Sequence, residues 1–163
     1  MNQSDAFDTA KKKLENKGLR LIKEDSTRPW GGFLVVDESQ AQDFIHAFFP
    51  DDTPEKIDIS KKLSPKLLIV GPGKRLSWQY HLRRAEIWRC IEGKVGIISS
   101  LDDDEKPMKY LNSGELIQLK QGERHRLIGL ENWGIVAEIW IHTDPEHPSN
   151  EADIIRIQDD YNR

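Results

Sequence analysis

The chain has 163 residues, 37% apolar and 32% charged with a net charge of −4, which suits one globular domain with a single hydrophobic core. That balance argues against a disordered chain, and no run approaches the roughly 20 apolar residues needed to cross a bilayer, so no membrane partner is expected. Cys90 is the only cysteine. An internal disulfide and any multi-cysteine zinc site are therefore excluded, and a bound metal would have to take nitrogen and oxygen ligands.

The polar N-terminus, residues 1–13, carries no apolar segment of the secretory kind, and a cytoplasmic location is expected. Phe7, Ala10 and Leu14 recur at helical spacing, and Gly18 stands where a C-terminal cap belongs. Next come Arg28-Pro29-Trp30-Gly31-Gly32 and a strand over Phe33–Val36. A second helix is predicted from an apolar face of Ala41, Phe44, Ile45 and Phe48, with Ser39 and Gln42 as a capping box and Pro50 closing it. Residues 51–64 are polar and read as a loop with a short strand at most.

From Lys66 onward the pattern changes to short β-branched runs: Leu67–Val70, Leu76–Tyr80, Ile87–Ile91, Val95–Ser99, Leu116–Leu119, Arg126–Ile128 and Ile135–His142. Turn residues such as Gly71-Pro72-Gly73, Glu92-Gly93, Asn112-Ser113-Gly114 and Gln121-Gly122 separate them. Many short strands of this kind predict an all-β sandwich or barrel, here carrying a helical elaboration over roughly the first 60 residues. The charge runs Lys11–Lys13 and Asp102–Glu105 read as solvated surface, and no basic stripe interleaved with aromatics marks a nucleic-acid partner.

Within the β region, Gln79 and His81 are two apart on one predicted strand and so share a face. Glu86 follows past the polar Arg83-Arg84, and His125 begins a later strand just after Gly122. One amide oxygen, two imidazoles and one carboxylate suit zinc, iron, manganese, nickel or cobalt better than calcium, which prefers oxygen throughout. Taken singly, each residue has a structural explanation: a strand histidine held by hydrogen bonds, or Glu86 paired with Arg84 or Arg89.

The spacing Gly73-x5-Gln79-x-His81-x4-Glu86-x6-Gly93 resembles the first cupin motif, with Gln79 in place of its first histidine. Gly114-x7-Gly122-x2-His125 resembles the second, with Lys120 at a usual proline and Gly129 at a usual asparagine. More narrowly, the chain resembles the isomerase domain of type II mannose-6-phosphate isomerases. The shared text includes Arg28-Pro29-Trp30-Gly31, Leu76-Ser77-Trp78-Gln79, Arg84-Ala85-Glu86, Gly122-Glu123-Arg124-His125-Arg126-Leu127, Glu138 and the tail from Asp153 to Arg163. It runs from residue 26 to 163, leaving residues 1–25 as an N-terminal helical arm and the second helix outside the match. Leu82, Arg83 and Ile87 stand where that family often has histidines, and no nucleotide-binding loop of the transferase kind is present.

The resemblance implies a cupin, a double-stranded β-helix or jelly-roll barrel, over residues 26–163, and one divalent metal ion, zinc foremost, held by Gln79, His81, Glu86 and His125. It implies a sugar phosphate as ligand and aldose–ketose isomerisation as the activity, with Arg84 at the cavity mouth touching substrate and Glu138 a candidate for the base. Glu138 serves equally as a neutralising partner for a buried arginine. Trp30, Trp78, Trp88 and Trp140 read as core packing, and Arg156, Asp159, Tyr161 and Arg163 as residues that tie down the C-terminus. A non-catalytic sugar-phosphate-binding domain and a different metal-dependent cupin enzyme, such as an iron dioxygenase, remain open alternatives. A homodimer formed through sheet edges is a further expectation.

Overall fold

The computed structural model describes residues 1–50 and 57–163. Helix α1 (Gln3–Asn16) opens with a reciprocal capping box between Asn2 and Asp5 and buries Ala6, Phe7, Ala10 and Leu14. It ends at Gly18, whose φ of +67° is the left-handed conformation that glycine adopts without a Cβ penalty. Strands β1 (Leu21–Arg28) and β2 (Gly31–Val36) follow as an antiparallel pair. Strand β1 carries the chain across residue 25.

Helix α2 (Ala41–Phe48) buries the expected Ala41, Phe44, Ile45 and Phe48, but its start differs from the expected capping box. Asp37 Oδ1 accepts both the backbone N–H and the hydroxyl of Ser39, each at 2.9 Å. This wraps residues 38–40 into a 3-10 turn. Ser39 thereby lies inside that turn and the N-cap position falls to Gln40, which makes no side-chain cap bond.

The remaining strands are β3 (Lys66–Val70), β4 (Trp78–Tyr80), β5 (Arg84–Glu92), β6 (Lys94–Ser100), β7 (Lys109–Asn112), β8 (Leu116–Leu119), β9 (Arg124–Gly129), β10 (Gly134–His142) and β11 (Ile155–Gln158). All seven strands expected after Lys66 are present, and β1, β7 and β11 are additional. Residues 51–56 of the expected loop lie outside the described residues, and residues 57–65 hold no strand. The strands form two antiparallel sheets, β1-β2-β3-β10-β5-β8 and β11-β4-β9-β6-β7. The N-terminal segment is thus more than a helical addition, because β1 and β2 extend the first sheet through β3.

Alternation along the central strands divides the core in two. Leu67 and Ile69 of β3, Ile87 of β5, and Ile135, Ala137 and Ile139 of β10 join the two helices in one cluster. The opposite face of the same strands gives Leu68, Val70, Trp88, Cys90 and Val136, which meet Val95, Ile97 and Leu127 of the second sheet. The helices cover one face of the first sheet, and the second sheet covers the other. The inter-sheet layer is where the polar residues of interest collect. No helix among the described residues is long and apolar enough to cross a membrane.

Candidate metal centre

Four strand-borne positions converge between the sheets. Gln79 on β4 lies directly opposite His125 on β9. His81 follows the end of β4, its carbonyl accepting the Gly122 N–H at 3.0 Å. Glu86 faces them from β5 in the other sheet, on the same side of that strand as Arg84 and Trp88. His81, Glu86 and His125 are 2%, 3% and 1% exposed, and Gln79 is 9% exposed. The structure therefore brings all four expected ligand residues into the interior.

The hydrogen-bond pattern around the imidazoles fixes their tautomers. His81 Nδ1 lies 2.7 Å from the Asp153 carbonyl oxygen, and His125 Nδ1 lies 2.9 Å from that of Glu123. A carbonyl can only accept, so each Nδ1 carries a proton, and in the neutral ring each Nε2 presents a lone pair. Both lone pairs face Glu86 Oε1, at 3.2 Å from His81 and 2.9 Å from His125. Despite that approach, Glu86 Oε1 and His125 Nε2 are buried with no hydrogen-bond partner. His81 Nε2 has only the Arg84 guanidinium, at 3.2 Å.

Two buried acceptor atoms without a donor, beside an imidazole nitrogen that meets only a guanidinium, are unfavourable unless a cation lies among them. All three ligand atoms lie within 4.8 Å of one another. The donor set fits a divalent ion, and the backbone carbonyls behind each histidine are the outer partners that metal-bound imidazoles usually have. Burial pushes the Glu86 carboxyl up, but positive charge at His81 and His125 outweighs it and holds the group well below the usual carboxylate range, a charge that a bound cation would supply equally. Gln79 Oε1 accepts the Ser77 hydroxyl at 2.5 Å, which orients the amide and leaves a second lone pair on that oxygen.

Gln79 and Glu86 also form the wall of a cavity of about 120 Å3 that opens to solvent. Arg84 lines this cavity but does not sit at its mouth as expected. It is 5% exposed, its guanidinium lies 3.6 Å from the centre of the Trp140 ring, and Nη1 donates to Ser149 Oγ and the Asn150 carbonyl. Those bonds draw it inward over the ring, and its Nε is buried without a hydrogen-bond partner, 3.5 Å from Glu86 Oε2.

Glu138 accepts the indole N–H groups of Trp88 at 2.6 Å and Trp140 at 2.8 Å, and Lys66 Nζ lies 4.0 Å away. Its partners are thus two indoles and a buried lysine. Burial foremost, then the charge of Glu86, raise this carboxyl to about 8. Trp30, Trp88 and Trp140 are core residues that also line the cavity, while Trp78 is buried apart from it and donates to the Asp103 carbonyl.

The positions that depart from the cupin motifs have local explanations. Leu82 points to solvent and Ile87 joins the helix-side core, so neither faces the centre. The Lys120 N–H donates to Glu123 Oε1 at 2.8 Å, a bond proline could not make. A Cβ on Gly129 would collide with the Gly71 carbonyl, which leaves no room for a side chain. Lys66, Asp153 and Glu151 were not singled out for the site. Lys66 is hidden within an apolar strand pattern, and Asp153 was visible only as part of the shared tail.

The family described as "Mannose-6-phosphate isomerase C-terminal" matches residues 37–159. The chain belongs to that family. The match takes in α2, which the motif comparison had left outside. Relatives of the mannose-6-phosphate isomerase C-terminal domain include a mannose-1-phosphate guanylyltransferase of Salmonella montevideo, 28% identical over 93% of this chain and 26% of that protein. Another, from Escherichia coli K12, is 31% identical over 67% of this chain and 21% of that protein. The chain thus spans about a quarter of the length of these relatives. Among solved structures, capsular polysaccharide assembling protein CapF from Staphylococcus aureus superposes with a TM-score of 0.54 at 18% identity, over 86% of this chain and 34% of that one. Recombinant oxalate oxidase in complex with glycolate gives 0.54 at 15% identity, over 82% and 58%. These likenesses carry the fold alone, the cupin jelly roll that the motifs had implied.

Proposed function

We propose that this domain is a divalent-metal-dependent aldose–ketose isomerase acting on a sugar phosphate, with mannose 6-phosphate and fructose 6-phosphate as the pair, and that Gln79, His81, Glu86 and His125 hold the ion. The observation that carries the reading is the buried set of lone pairs on His81, Glu86 and His125, with Gln79 and Glu86 at the wall of an open cavity. The family description supports the choice of reaction.

When bound, a divalent ion supplies Lewis-acid stabilisation for charge that develops on a sugar carbonyl oxygen as the adjacent proton leaves. The chain's own residues do the rest. Arg84 offers its unpartnered Nε to a substrate oxygen. Proton transfer between C1 and C2 is assigned to Glu138. Of the two cavity carboxylates outside the cluster, Glu151 is taken by Lys66 at 2.9 Å, whereas Glu138 is held in place by two indoles and keeps further lone pairs.

Incubation of the metal-loaded protein with mannose 6-phosphate in heavy water, followed by NMR, tests this reading. Deuterium should enter at C2 and fructose 6-phosphate should form, and both should disappear in His125→Ala. Metal-loaded protein that gives neither exchange nor product contradicts the isomerase. Two imidazoles and one carboxylate also suit iron, so oxygen consumption by the iron-loaded form would replace isomerisation with oxygenase chemistry.

A further inference from the structure

Three arginines line the cavity from outside the metal cluster: Arg28 at the end of β1, Arg156 on β11 and Arg163 at the end of the chain. Arg156 pairs directly across the ladder with Gln79, so its side chain leaves the sheet on the same face as that residue and beside it. Its guanidinium has no hydrogen-bond or ion-pair partner among the described residues. The other two are held from one side only. Arg28 Nε donates to Asp25 at 3.1 Å, and Arg163 donates to Asp159 through Nε at 2.8 Å and Nη2 at 3.3 Å. Arg28 Nη1 and Nη2 and Arg163 Nη1 have no hydrogen-bond partner among the described residues.

The three positive charges act on one another. Burial, then the charges of Arg163 and Arg28, pull the Arg156 guanidinium down from its ordinary value against the opposing Asp159. Like charges gathered around one opening, with donors to spare, are unfavourable alone and favourable around a polyanion. A phosphate monoester offers three acceptor oxygens, and guanidinium forks match that geometry.

We propose that Arg28, Arg156 and Arg163 form an oxyanion subsite at the cavity mouth that binds the phosphate monoester of the substrate, with Arg156 the principal donor. The subsite fixes the sugar's orientation, placing the phosphate away from the carbons that react beside the metal cluster. It assigns the C-terminal tail to substrate binding in addition to anchoring the chain. The choice of a sugar phosphate as occupant rests on the isomerase reading above, but phosphate binding needs no turnover.

Calorimetric titration with glucitol 6-phosphate, which has no carbonyl to isomerise, separates the two. The wild-type protein should bind it, inorganic phosphate should compete, and unphosphorylated glucitol should bind much more weakly. Arg156→Gln should weaken glucitol 6-phosphate binding about tenfold or more with the melting temperature unchanged, and Arg163→Gln should weaken it in the same direction. Binding that depends on Arg156, without any proton exchange on mannose 6-phosphate, would keep the subsite and remove the isomerase. Exchange with an unaltered KM in Arg156→Gln would keep the isomerase and overturn the subsite. Equal binding of glucitol and its phosphate by the wild type would also overturn it.

Discussion

Glu86 is the one carboxylate among the four candidate ligands. It is a buried carboxylate whose Oε1 receives no hydrogen bond and whose stabilisation comes from two imidazoles. Glu86→Gln removes that charge at almost constant volume. The variant should lose affinity for a divalent ion by more than about 100-fold, since the loss of an outer partner alone costs 10–100-fold. Without metal it should melt lower than the wild type, because the folded chain favours the charged carboxylate and the amide forfeits that. Metal titration and melting curves of the two proteins check both halves.

His142 makes a separate prediction. Its Nδ1 accepts the Ser149 N–H at 2.9 Å, and its Nε2 lies 3.1 Å from the Ser64 hydroxyl. Burial, then the charges of Lys62, Arg84 and Lys66, lower this imidazole from 6.5 to about 4. The unfolded chain therefore takes up a proton near pH 6.5 that the folded chain refuses until about pH 4. Stability should fall across that window as pH falls, by at most about 3 kcal/mol and by less in a half-buried site. His142→Asn, measured by denaturant melts at several pH values, should flatten the slope between pH 6.5 and 4.

At the scale of elements, the segment between β10 and β11 organises the centre. Asp153 accepts the backbone N–H groups of Leu82 and Arg83 at 2.9 and 3.0 Å and the Ser149 hydroxyl at 2.6 Å, while its carbonyl orients His81. Asp153→Ala should cost about 1–3 kcal/mol in stability through the donors left unmet. It should also weaken metal binding, because the side-chain bonds to Leu82, Arg83 and Ser149 are what hold the residue 153 carbonyl against His81. A fall in melting temperature with unchanged metal affinity would show that the Asp153 side chain does not position His81.

The sequence made these elements legible to different degrees. The strands β3, β5, β6, β9 and β10 have at least one face in the core, so alternation or an apolar run marks them. Strands β1, β7 and β11 were missed because they end their sheets and are mostly exposed, so their residues need not alternate in polarity. The capping box at Ser39 failed because Asp37, two residues earlier, caps a 3-10 turn that takes in Ser39 and moves the helix start to Ala41. Gln79, His81, Glu86 and His125 were found through motif spacing. The residues that hold them, Asp153 and Ser77, stood in the shared text without a role, and their bonds to His81 and Gln79 emerge from the fold.

For the whole molecule, the important fact is that the centre bridges two sheets. Gln79, His81 and His125 come from the second sheet and its margins, and Glu86 comes from the first. A bound ion would tie the sheets together where the inter-sheet layer is polar. Ligand held only by the folded state stabilises by about 2.7 kcal/mol at 100 times its dissociation constant, or about 5–10 °C for a chain of this size. Removing the metal with a chelator should lower the melting temperature by that order, and adding zinc should restore it.

The most direct measurement is a calorimetric titration of the metal-free protein with zinc. One site per chain is the predicted result, absent in a folded His125→Ala variant. Zinc binding by that variant with unchanged stoichiometry and affinity, or no binding by the wild type, would contradict the account.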